Sequence, residues 1–156
     1  MRKLTQWYVM QDVHDLGETL EIYKEGFRFD DFNHLISEFE AIPRLGALQI
    51  LFSEHPYYGR ELRYFNQAPW WYYCRFDGEN LKNSVAMLRF LSVDYYCKVY
   101  LNGILIGEHE GYFEEFEFDI TDVVKEKDNQ LFVKVWSPWD TQILKGAEAM
   151  RGYSVK

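Results

Sequence analysis

The stretch Val99-Tyr-Leu-Asn-Gly-Ile-Leu-Ile-Gly-Glu-His-Glu-Gly-Tyr-Phe-Glu-Glu-Phe-Glu-Phe-Asp-Ile-Thr-Asp122 decides how the rest of the chain is read. Asn102-Gly103 separates two apolar runs, and both residue types tolerate positive φ. A two-residue type I′ turn requires that, so the dipeptide predicts a β-hairpin. Before the turn, Tyr95, Cys97, Val99 and Leu101 fall on one strand face, and Tyr96, Lys98 and Tyr100 on the other. After it, Ile104 to Ile106 forms the return strand, which is expected to end at Gly107. A third run alternates with Phe116, Phe118 and Ile120 inward and Glu115, Glu117 and Asp119 outward. Three antiparallel strands are expected to follow one another here.

The same alternation extends upstream to Pro69 and downstream to Trp136. Trp70 to Phe76 is a strand with Trp70, Tyr72, Cys74 and Phe76 on one face and Trp71, Tyr73 and Arg75 on the other. Val85 to Leu91 places Ala86, Leu88 and Phe90 inward. Leu131 to Trp136 places Leu131, Val133 and Val135 together, and Lys98 and Lys134 read as outward strand charges. Regularly spaced short strands separated by turn signals predict an all-β sandwich, with a jelly roll as the natural closure.

The first third of the chain reads differently. Trp7 to Met10 is a short β-like run, and Leu20, Ile22 and Tyr23 suggest a second extended piece. Asn33 to Ala41 has Leu35, Ile36 and Phe39 at helical spacing, and Pro43 suits the first turn of another helix whose buried side carries Leu45, Leu48, Leu51 and Phe52. Short helices and loops are therefore expected to lie against the sheet over about residues 24–66. Residues 138–156 read as a connection cut short on the way to another domain.

The 156 residues fit one domain. A net charge of −8 argues against nucleic acid or an anionic membrane surface as partner. No run approaches the roughly 18 apolar residues that span a bilayer. No secretory signal is visible, so a cytoplasmic location is expected if Met1 is the native start, and a periplasmic or secreted one if a leader was removed. Cys74 and Cys97 sit mid-strand, as free buried thiols or as a cross-strand disulfide. Neither a metal site nor another cofactor is indicated, because no paired Cys or His spacing occurs.

Aromatic residues make up 19% of the chain, and most are expected to fill the core. Tyr57, Tyr58, Trp70 and Trp71 are the candidate ligand-binding residues, because flat rings with polar tips suit sugar faces. The acids Glu108, Glu110, Glu114, Glu115, Glu117, Asp119 and Asp122 could suggest acid/base work. They alternate outward or sit in turns, so they read as a solvated face, and no catalytic residue is assigned. His109 reads as a polar turn residue.

Val99-Tyr-Leu-Asn-Gly103, Gly107-Glu-His109, Gly111-Tyr-Phe113 and Phe116-Glu-Phe-Asp-Ile-Thr-Asp122 together resemble the sugar-binding N-terminal domain of glycoside hydrolase family 2. Ile42-Pro43, Pro56-Tyr-Tyr-Gly59 and Pro69-Trp-Trp-Tyr72 resemble its β-mannosidase and exo-β-glucosaminidase branch, from which His55 and Glu61 depart. The resemblance covers about residues 40–137, the recognisable core, and implies a galactose-binding-like jelly roll beside a catalytic barrel that supplies both catalytic glutamates. It implies carbohydrate and the downstream domains of the same polypeptide as partners. The expected role is a non-catalytic sugar-binding or buttress domain that helps shape the substrate pocket of a β-glycoside hydrolase of the β-mannosidase, β-galactosidase or glucosaminidase type. The alternatives are a self-standing carbohydrate-binding module and a protein-interaction sandwich with no sugar role.

Overall fold

The computed structural model describes residues 1–55, 59–78 and 84–137. In chain order, the elements are β1 (Trp7–Gln11), a single 3₁₀ turn (Phe29–Phe32), β2 (Glu40–Ile42), α1 (Leu48–Phe52), α2 (Gly59–Asn66), β3 (Trp70–Phe76), β4 (Met87–Phe90), β5 (Tyr96–Leu101), β6 (Ile104–Glu110), β7 (Phe116–Asp119) and β8 (Asn129–Trp136). A six-stranded sheet runs in the order β2-β1-β3-β8-β5-β6, and β4 and β7 form a separate two-stranded sheet. All pairings are antiparallel. The all-β sandwich expected from the strand spacing is present.

Period-2 alternation divides the large sheet into two apolar faces. Trp7, Val9, Trp70, Tyr72, Cys74, Cys97, Val99, Leu101, Leu131, Val133 and Val135 face the small sheet, where Leu88, Phe90, Phe116, Phe118 and Ile120 meet them. Met10, Trp71, Tyr100 and Phe132 face the other way, onto Ile22 and Ile36 and the partly buried rings of Tyr23, Phe27, Phe29, Phe32 and Phe39. The N-terminal segment therefore forms a third layer over the outer face of the sheet. Trp71 is 0% exposed beneath it. Burying one indole removes on the order of 200 Å² from water, roughly 5 kcal/mol as an upper value.

The central hairpin forms as its turn residues dictate. Asn102 and Gly103 have φ of 51° and 81°. The Asn102 side chain accepts from Gln130 N at 2.9 Å and donates to Val123 O at 2.8 Å. That ties the turn to the start of β8 and to the segment preceding it. β6 runs on through Gly107 to Glu110, with an irregularity opposite Val99 and Tyr100. Gly107 does not end the strand. A Cβ there would lie 2.3 Å from the Phe118 ring of the facing sheet, so glycine is what lets the layers close. The run from Phe116 does not continue the hairpin's sheet. It crosses to pair with β4.

Three N-terminal expectations are corrected. Leu20, Ile22 and Tyr23 lie in successive turns, with Leu20 N bonded to Leu16 O and Ile22 N to Gly17 O. No helix spans residues 33–41: one turn closes on Phe32 O, and Glu40–Ile42 joins the sheet as β2. Pairing with the open edge of β1 outweighs the helical spacing there. The helix after Pro43 begins only at Leu48, and both Leu45 and Phe52, expected on its buried side, are exposed. Residues 1–39 thus supply one strand of the sheet and a whole covering layer.

Lys98 and Lys134 are not free outward charges. Lys134 is 5% exposed, and its Nζ lies 2.6 Å from Asp15 Oδ1 and 2.7 Å from Glu18 Oε2. Lys98 Nζ and Tyr100 Oη both donate to Glu18 Oε1, at 2.8 and 2.6 Å. Burial pushes the Glu18 carboxyl up, but the hydrogen bonds from Lys134, Lys98 and Tyr100 outweigh it and hold the group at about 2. Cys74 and Cys97 are free and buried, on strands separated by β8.

Candidate functional site

Strand register brings one set of ends together. Gln11 pairs with Trp70, Trp70 with Val135, Trp136 with Tyr96, and Tyr96 with Glu110. One rim of the large sheet is therefore rich in aromatic residues. Trp136 stacks on Tyr96 at 5.4 Å, Tyr96 meets Tyr95 edge-on at 4.6 Å, and Tyr95 meets Tyr112 at 4.6 Å. Tyr95 Oη donates to Glu110 at 2.8 Å, and that bond to a carboxylate raises the phenol to about 12. Next to Tyr112, Phe113 is 91% exposed.

At the Gln11–Trp70 side of the rim a cleft of about 570 Å³ opens. Val9, Met10, Gln11, Trp70, Phe52, Tyr64 and Phe65 form its walls, with Ser37, Glu38, Glu40, Ser53 and Glu54 around them. Each strand end has a reason to be there. Asp12 N bonds to Pro69 O at 2.8 Å, which closes β1 against the start of β3. The Gln11 amide donates from Nε2 to Tyr64 O at 2.5 Å, which ties the end of α2 to β1.

The four aromatic candidates do not form one surface. Trp70 and Trp71 point to opposite faces of β3. Trp70 lines the cleft but is only 5% exposed, parallel to Phe65 at 5.7 Å and to Phe52 at 6.4 Å, with its Nε1 donating to Phe65 O at 2.9 Å. Trp71 lies in the outer core and donates to Asp12 Oδ2 at 3.0 Å. Tyr57 and Tyr58 lie outside the described residues.

The rings that present themselves to the cleft are Phe52 and Tyr64, both exposed. Sequence alone did not single them out, nor Gln11, because they come from α1, α2 and β1, which only the fold brings together. The acids from Glu108 to Asp122 are all exposed, as a solvated face requires. His109 lies within β6 rather than in a turn, its ring stacked on Phe116 at 3.8 Å. Among the described residues, no group of three or more His, Cys, Asp or Glu is placed to hold a metal ion.

Comparison with known proteins agrees with this architecture. A family model described as glycosyl hydrolase 2 galactose-binding domain-like matches residues 47–154. A β-galactosidase of Thermoanaerobacter pseudethanolicus is 31% identical over 119 residues, which is 76% of this chain and 14% of that protein. The β-galactosidase large subunit of Latilactobacillus sakei is 37% identical over 87 residues, 54% of this chain and 12% of that one. Among solved structures, a β-glucuronidase from Ruminococcus gnavus in complex with C6-substituted uronic isofagomine superposes with a TM-score of 0.69 at 22% identity. That match covers 97% of this chain and 24% of the other, and at this identity it establishes the fold. The chain thus spans about one seventh of the first of these curated relatives.

Proposed function

Because the chain belongs to the glycosyl hydrolase 2 galactose-binding domain-like family, we propose that it is the non-catalytic N-terminal sandwich of a β-glycoside hydrolase of the β-galactosidase type. The observation that carries this reading is the family match over residues 47–154 on a fold whose central acids all face solvent. Retaining hydrolysis needs two carboxyl groups about 5–5.5 Å apart across a bound sugar. Among the described residues, the outward glutamates of β6 and β7 line neither of the two clefts of about 560–570 Å³. In this reading the catalytic pair belongs to another domain of the same polypeptide, and this sandwich buttresses it.

The aromatic rim is the surface suited to that contact. Tyr112 and Phe113 are exposed there, and β8 ends there at Trp136. The curated relatives support the β-galactosidase type. The run Pro69-Trp70-Trp71-Tyr72 supports a β-mannosidase or exo-β-glucosaminidase type as the second reading. A panel of p-nitrophenyl β-glycosides tests both. The 156-residue chain alone is expected to release no nitrophenol from any of them, and turnover by this chain would overturn the non-catalytic role. With the complete polypeptide, the β-galactoside is expected to be cleaved fastest; preference for the β-mannoside or β-glucosaminide would select the second reading.

A further inference from the structure

Asn102-Gly103 is the only Asn-Gly step in the sequence, and it forms the turn between β5 and β6. An asparagine followed by glycine has a reaction of its own. The glycine backbone nitrogen loses its proton and bonds to the asparagine Cγ. The bond from Cγ to Nδ2 breaks, ammonia leaves with that proton, and a five-membered succinimide remains. Solvent water then opens the ring at either carbonyl, giving aspartate or isoaspartate. Water enters, ammonia departs, and nothing is oxidised or reduced. Glycine favours the step because no side chain hinders the approach and its backbone turns freely.

The fold opposes that approach. Asn102 Oδ1 accepts from Gln130 N at 2.9 Å, and Nδ2 donates to Val123 O at 2.8 Å and to Asn129 Oδ1 at 2.9 Å. The backbone N of Asn102 donates to Gln130 O at 2.9 Å. Gly103 is closed in by the N-terminal layer: a Cβ there would lie 3.8 Å from Lys24 Cα and 3.9 Å from Glu25 N. For Cγ to swing onto Gly103 N, the side-chain amide must first release its partners on two other segments.

The products fit the site badly. A carboxylate has no donor. At position 102 it would face two acceptors, Val123 O and Asn129 Oδ1. Asn129 cannot turn its amide over to help. It is 0% exposed, its Nδ2 donates to Lys125 O at 2.7 Å and Phe76 O at 3.2 Å, and its Oδ1 accepts from Lys125 N at 2.7 Å. Isoaspartate adds a methylene to the main chain inside a two-residue turn, which displaces the pairing of β5 with β6.

We propose that Asn102-Gly103 is a latent deamidation site that the native hairpin holds closed, and that its conversion follows an opening of the hairpin and keeps it from closing again. The same hydrogen bonds protect the asparagine and reject its product, so the modification is a one-way record of unfolding. The site is independent of the role of the domain and of the glycoside that the complete enzyme cleaves.

The test incubates the 156-residue chain in mildly alkaline buffer, with and without guanidinium chloride, and maps each asparagine by mass spectrometry after digestion at acidic pH. In denaturant, residue 102 is expected to convert ahead of every other asparagine. In buffer its conversion is expected to be at least about tenfold slower, because only the opened hairpin reacts. Asn102→Asp supplies the product directly. Its urea midpoint, followed by circular dichroism, is expected to fall well below that of the parent, or the variant fails to fold. Equal rates in the two conditions, another asparagine leading in denaturant, or an N102D chain as stable as the parent each overturns the proposal. No activity is read in these measurements, so their failure leaves the non-catalytic assignment standing.

Discussion

Lys134 Nζ of the central strand β8 lies 2.7 Å from Glu18 Oε2 of the N-terminal layer, 116 positions away in sequence. The lysine is almost wholly covered, whereas Lys98, its cross-strand partner on β5, keeps more contact with water. Lys134→Ala leaves Glu18 and Asp15 short of their main partner and opens a gap under Trp71. It is expected to cost about 3 kcal/mol, against about 1 kcal/mol for Lys98→Ala. Urea denaturation of the two variants measures the difference.

The same cluster sets an acid limit. The folded Glu18 carboxyl sits at about 2, below its ordinary 4.5, so its contribution is complete above about pH 4.5 and is lost as pH falls toward 2. For a carboxylate partly open to solvent, the contribution is about 1–2 kcal/mol after screening. Glu18→Gln is expected to be less stable at pH 7 and to lose less stability than the parent between pH 4.5 and 2. Thermal melts across that interval give the comparison.

Gly107 and Phe118 test how closely the two sheets approach. Gly107→Ala is expected to destabilise by about 2–3 kcal/mol, the scale of overpacking in a filled core. Gly46→Ala is the control, because a Cβ there meets nothing nearer than 3.7 Å. Its midpoint in urea should stay close to that of the parent chain.

Burial pushes the Cys74 thiol up to about 11 and the Cys97 thiol up to about 12. Thiolate, the reactive form, is therefore scarce at neutral pH. A disulfide reagent at pH 8 should find no fast-reacting thiol in the folded chain and two in denaturant. A fast-reacting thiol under native conditions would contradict the packing of β3 or β5.

The strands from Pro69 onward were legible because each carries its own alternation and turn chemistry. Asn102-Gly103 fixes a hairpin from two residues, and β8 reads correctly from Leu131, Val133 and Val135 alone. The N-terminal third was not legible in the same way. Leu35, Ile36 and Phe39 fit a helix locally, yet Glu40–Ile42 pairs with β1, and that preference exists only once β1 is placed. Lys134 reads as a solvent-facing residue within its strand, and only the layer above it makes it buried. The cleft was half visible: Trp70 is there, but Gln11, Phe52 and Tyr64 come from three elements whose meeting no local pattern encodes.

A sheet with one wet face polices its own alignment, because sliding a strand by one residue turns its oily side toward water. The large sheet here has no such guard, since β3 and β8 carry apolar side chains on both faces. A slipped β3 would exchange one greasy environment for another. What makes the native alignment unique is the small number of groups that fit only one address. The Trp71 indole N–H meets Asp12, the Lys134 ammonium meets Glu18, and the Asn102 amide meets the backbone of Gln130. Those few polar anchors, rather than the abundant hydrophobic surface, select one alignment over its near neighbours.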